Sequence, residues 1–134
     1  MKKIENFSRC LGVLRTCDPQ LLKKDQLYRM GVIGQYSLSF ELGWKALQAV
    51  LVLHGVAEAE TGSPREILKQ GYRVGFLNDE DLWLEMLKKR NVATHVYNEA
   101  EADELSELIL HTYLPALERM RDTLEIKASE AENT

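Results

Sequence analysis

From Asp25 to His54 the chain reads as one unbroken helix, and this stretch limits the fold more than any other feature. Ile33, Tyr36, Phe40, Leu47 and Leu51 recur along it at helical spacing, with Trp44 beside the stripe, and no proline interrupts it. Gly55 can supply a left-handed cap, and His54 sits at the negative end of the helix dipole. Gly31, Gly34 and Gly43 lie inside the helix, each at a cost of about 1 kcal/mol relative to alanine. Close packing is the expected reason for them.

The rest of the chain is helical too. Ile4, Phe7, Leu11 and Leu14 mark the buried face of a helix over 3–16, which "CDPQ" ends because the residue before Pro19 is steered out of helical geometry. After a loop at 56–62, Ser63, Pro64 and Glu66 form a helix start: cap, first-turn proline and capping-box glutamate. This third helix carries Ile67, Leu68 and Tyr72 as its apolar face, and Gly75 stops it. A fourth helix is expected from Asn78, with Asp79, Glu80 and Asp81 in its first turn and Leu82, Trp83, Met86 and Leu87 facing inward. Asn98 is the expected cap of a fifth, running to about Leu124 and burying Leu105, Leu108, Ile109, Leu117 and Met120. Pro115 should kink it.

No alternating strand pattern and no repeat remain, so the expected fold is all-α: an up-and-down bundle of about five helices with two long core helices. A chain of 134 residues suits a single domain, here 1–126, with a polar, disordered tail at 127–134. Cys10 and Cys17 read as small core residues, because seven positions along one helix put them about 10 Å apart, beyond disulfide reach.

A net charge of −4 argues against a duplex-DNA binder but leaves a local RNA-contacting patch open. The opening "MKKIENFSRC" lacks the apolar core of a signal peptide, and the greasiest run, "AVLVL", is too short to cross a membrane. A cytoplasmic protein is expected. No metal cluster and no Gly-rich phosphate loop stand out, so neither metal nor cofactor is expected.

Chemistry concentrates in "RNVATHVY" at 90–97, between the fourth and fifth helices. On one straight helix Arg90 and His95 would lie about 140° apart, whereas Asn91 and His95 would share a face. Arg90 and His95 converge if the helix unwinds near Ala93–Thr94, or if two chains pair across the joint. A guanidinium can bind non-bridging phosphate oxygens, and an imidazole can move a proton to or from RNA oxygens near neutral pH. Lys88 and Lys89 add positive charge, and Arg65, Lys69 and Arg73 form a basic stripe on the third helix; all five are candidate anion- or RNA-binding residues. Glu41 and Lys45 read as an ion pair one helical turn apart.

"RNVATHVY" resembles the signature of the HEPN superfamily of helical proteins, and "FELGWKALQ" at 40–48, "SPRE" and "LWLEMLKKRN" resemble its nucleotidyltransferase substrate-binding branch. The likeness runs from the long helix into the fifth. It implies a homodimeric bundle that complexes with a separate minimal nucleotidyltransferase. It also implies an alternative: a metal-independent ribonuclease toxin with Arg90 and His95 as catalytic pair, Asn91 in support, and Tyr97 as the site whose adenylylation silences it. A non-catalytic helical scaffold is the third reading. The binding subunit is the expectation adopted, with a protein partner, a possible RNA substrate, and no membrane or DNA partner.

Overall fold

The computed structural model describes residues 1–96 and 98–133. Seven α-helices follow in order: α1 (Lys2–Arg15), α2 (Pro19–Lys24), α3 (Gln26–Leu53), α4 (Pro64–Arg73), α5 (Glu80–Val92), α6 (Glu99–Leu108) and α7 (Leu114–Glu132). Short 3₁₀ turns at Ala57–Ala59 and Ala93–His95 and a π turn at Ile109–Tyr113 join or extend them. The bundle is all-α, with no strand among the described residues. None of its helices is long and apolar enough to cross a membrane, among the described residues.

The spine is α3. It packs on α1 and α7, which also touch each other, and along its length meets α2, α4, α5 and α6. The stripe read from the sequence is the one it buries: Ile33, Tyr36, Phe40, Leu47 and Leu51 are all at most 3% exposed. Gly55, at φ +80°, closes the helix: its own N–H bonds to Val52 and that of Val56 to Leu51. Gly75 does the same for α4 at φ +84°, where Phe76 N–H donates to Gly71.

Two helices begin where cap chemistry requires. Ser63 accepts from Glu66 N–H at the start of α4, and Asp18 accepts from Gln20 N–H at the start of α2, each with proline in the first turn. The sequence pattern presents Pro19 only as a stop; the Asp-Pro pair also starts α2, a helix that periodicity does not anticipate. Asp79, not Asn78, caps α5, accepting from Leu82 N–H. On α4 the inward face is Ile67, Leu68 and Gly71, which leaves Tyr72 exposed instead of buried.

The fifth helix expected from the sequence is one rod in two parts. Pro115 has no N–H to give to His111, and the chain absorbs this by widening to a π turn in which Leu114 N–H reaches back to Ile109. Past the π turn, α7 runs on through the polar stretch expected as a tail. His54 Nε2 lies 2.6 Å from Lys127 O, Lys127 Nζ lies 5.6 Å from the Phe76 ring centre, and Ala128 is buried. Cys10 is buried and Cys17, beyond the end of α1, is half-buried; both are free thiols.

Candidate functional site

The motif segment sits where α5 gives out. Val92 is the last α-helical residue, and Ala93–His95 tighten into a 3₁₀ turn with Ala93 buried as its anchor. The helix thus unwinds at Ala93–Thr94, one of the two conditions under which Arg90 and His95 could converge. Asn98 then caps α6, its side chain accepting Glu101 N–H at 2.8 Å. Tyr97 lies outside the described residues.

Arg90 is held from the neighbouring helix. Its Nη2 donates to Glu41 Oε2 of α3, and its Nη1 reaches Asn91 Oδ1 at 3.3 Å. Glu41 also accepts Trp44 Nε1 at 2.9 Å and lies 3.2 Å from Lys45 Nζ. Helical spacing joins Glu41 to Lys45 alone and misses Arg90, since no local pattern links positions 49 apart. The "FELGWK" stretch acquires a physical meaning here. Phe40 is buried against Tyr36 and Trp83, Glu41 fixes Arg90, Gly43 admits Phe7 and Met120, and Trp44 and Lys45 hold Glu41.

Burial alone would raise the Glu41 carboxyl, but hydrogen bonds from Trp44 and Lys45 and the charges of Arg90 and Lys45 outweigh it and hold the group below its usual range. A carboxyl lowered by folding contributes stability above its unfolded pKa, and that contribution is lost as pH falls through the folded value. Between about pH 5 and pH 3 the urea midpoint of the parent should therefore fall further than that of Glu41→Gln. The effect is small, because both side chains of the Glu41–Arg90 pair are near 30% exposed. Parallel falls would remove Glu41 from the acid response.

Arg90 and His95 border different cavities among the described residues. Arg90 borders a hollow of about 420 Å³ with Ser37, Leu38, Glu41, Asn91 and Thr94. It also borders a larger groove of about 880 Å³ between α4 and α5, where Arg65 and Lys88 lie too. His95 is exposed and borders a third cavity of about 320 Å³ with Lys89, Glu101 and Glu104. Two carboxylates against one lysine make that lining a poor seat for a phosphate.

The basic residues named from the sequence are thus divided. Arg65, Lys88 and Arg90 share the α4–α5 groove, while Lys89 faces the His95 cavity. Lys69 is drawn to Glu80, 3.7 Å away, and Arg73 is exposed on the last turn of α4. Sequence reasoning also misses the groove's carboxylate, Glu85, which accepts a 2.6 Å hydrogen bond from Tyr113. Burial, then the Glu85 hydrogen bond and charge, push the Tyr113 phenol upward; burial does the same for Tyr36, stacked on Tyr113 at 5.5 Å. Both phenols stay protonated and serve as donors.

A family model described as "Nucleotidyltransferase substrate binding protein like" matches residues 2–126. Four solved chains resemble this one. Among them, the crystal structure of ttk003001694 from Thermus thermophilus superposes with a TM-score of 0.70 at 28% identity, covering 90% of this chain and 98% of that one. No curated protein matches.

Proposed function

We propose that this chain, which belongs to the nucleotidyltransferase substrate-binding-protein-like family, is a binding subunit that pairs with a second copy of itself and docks a separate minimal nucleotidyltransferase. The observation that carries the pairing is the outer face of α3. Leu27 is 81% exposed and Leu38 50%, with Met30, Gly31 and Gly34 between them on the exposed surface. A Cβ at Gly31 or Gly34 would meet nothing within 4 Å, so neither glycine is required by packing inside the protomer. Gly43 and Gly71 differ, since a Cβ there would press on Phe7 and Met120 or on Leu47 and Leu77. Two helix-weakening glycines between exposed leucines suit the close approach of another backbone. Leu38 ends this face and borders the Arg90–Asn91 hollow, so pairing here would bring the two copies' motif regions near each other.

The ribonuclease alternative needs Arg90 and His95 at one phosphate. Within one chain they border different cavities, so that reading depends on two motif segments meeting across the pair; the glutamates beside His95 favour binding over cleavage.

The test is the mass of the full chain by light scattering, with Gly34→Leu and Gly12→Leu compared. A Cβ at Gly12 likewise meets nothing within 4 Å, but Gly12 belongs to α1 and not to α3. A dimer in the parent and the Gly12→Leu chain, reduced to monomer by Gly34→Leu at unchanged helicity, is the expected result. A monomeric parent, or a Gly34→Leu chain still dimeric, would remove the α3 face from the assembly. Co-purification with a co-expressed minimal nucleotidyltransferase tests the second contact.

A further inference from the structure

We infer that the cavity between the α4–α5 turn and α7 is a binding site for a free α-amino acid with an apolar side chain, its carboxylate on Arg119 and its ammonium on Asp79. The cavity holds about 280 Å³, at the lower edge of small-molecule sites and matched to a ligand of that size. Gly75, at φ +84°, turns the chain so that Phe76 and Leu77 are buried while Asn78 and Asp79 are exposed, and all of them border the cavity. From α7 come Ala116, Arg119, Met120 and Thr123, which share one face at helical spacing.

Two opposite charges border this cavity and do not meet. Arg119 and Asp79 are exposed, and neither has an ion pair among the described residues. One Asp79 oxygen accepts Leu82 N–H at 3.1 Å, which leaves the second. Asp122, the other carboxylate at the cavity, is paired with Arg121 at 3.0 Å. A zwitterion supplies the missing counter-charge to both groups at once, and a guanidinium can hold a carboxylate through two N–H donors. A buried donor supports the same ligand. Trp83 is 4% exposed and borders the cavity, yet its indole N–H donates to no group among the described residues. Buried tryptophan N–H groups usually find a partner, and a ligand oxygen would provide one. Phe76, Leu77, Trp83 and Met120, each at most 9% exposed, give the cavity an apolar floor for an aliphatic or aromatic side chain. A lone phosphate is disfavoured, because Asp79, Glu80 and Asp81 crowd the start of α5.

The site goes beyond the binding-subunit reading and does not depend on it. The full chain, isotopically labelled, is titrated with leucine, phenylalanine, N-acetylleucine and leucinamide while the two tryptophan indole N–H signals are followed by NMR. Trp44→Phe assigns them. Trp44, whose N–H is bonded to Glu41 at 2.9 Å, reports from outside the cavity. Leucine or phenylalanine should move the Trp83 signal saturably and leave that of Trp44 in place. Deleting one charge of the ligand, as in N-acetylleucine or leucinamide, should weaken binding about tenfold, as expected for one charged hydrogen bond. Arg119→Gln and Asp79→Asn should each do the same at unchanged helicity. Asparagine caps helices as well as aspartate does, so Asp79→Asn removes the charge and keeps the start of α5. Arg73→Ala, outside the cavity, should bind as the parent does. The site is overturned by the absence of a saturable shift up to about 10 mM of either amino acid, or by a shift at Trp44 alone. Equal binding of N-acetylleucine or leucinamide, or parent-like affinity in either cavity variant, would overturn it too.

Discussion

Phe40→Ala is expected to destabilise the bundle by about 3–5 kcal/mol, the usual range for deleting a buried phenyl ring. Phe40 is 1% exposed, and its ring centre lies 6.1 Å from that of Tyr36 and 6.3 Å from that of Trp83. It therefore ties the middle of α3 to α5 directly beside Glu41, the residue that holds Arg90. A domain is typically stable by about 5–15 kcal/mol, so a loss of this size takes away a large share. Urea unfolding followed by circular dichroism gives the number. A cost below about 1 kcal/mol would mean that neighbouring side chains collapse into the space, and that α5 does not depend on this contact. Phe40→Leu, which keeps most of the apolar volume, should retain much of the stability.

Gly43→Val is expected to cost about 2 kcal/mol or more through overpacking. A Cβ there would stand 2.9 Å from Phe7 Cε1 and 3.0 Å from Met120 Cε. The methionine end can move, but Phe7 is fully buried and its ring is held by the α1–α3 interface. Valine's branched carbons add to the clash. The informative comparison is Gly34→Ala on the same helix, where a Cβ meets open space and helix propensity alone should add about 1 kcal/mol of stability to an isolated protomer. Opposite signs at the two glycines, read from urea midpoints under monomeric conditions, would separate the glycine required by the core from the one free to serve an outside contact. Equal effects would dissolve the distinction on which the α3 face rests.

Neighbouring residues are enough to locate most helices. Ser63-Pro64-x-Glu66, Asn98 with Glu101 N–H, and Gly55 and Gly75 in the left-handed region are local devices, and each acts where the sequence places it. Asp18-Pro19 is the same device, hidden because a proline that ends one helix can open the next. Periodicity assigns Tyr72 to the core, but the close approach of α4 to α3 at Gly71 rotates it to solvent. The polar stretch after Leu124 has few apolar residues, so its helical continuation follows from contacts with His54 and Phe76, which no window of neighbouring residues contains.

The candidate site divides in the same way. By itself the sequence determined the all-α class, the long α3, a joint between two helices within 90–97 and the residues worth testing in "RNVATHVY". Hydrophobic period, caps and breakers act over three or four positions, and that is the range at which helices form. Only the tertiary structure decided that Arg90 belongs to Glu41, that His95 borders a different cavity, and that Arg65 and Lys88 border one groove while Lys69 pairs with Glu80. Those relations depend on how α3, α4, α5 and α6 pack around their shared core, and a small rotation of any one helix would pair different side chains.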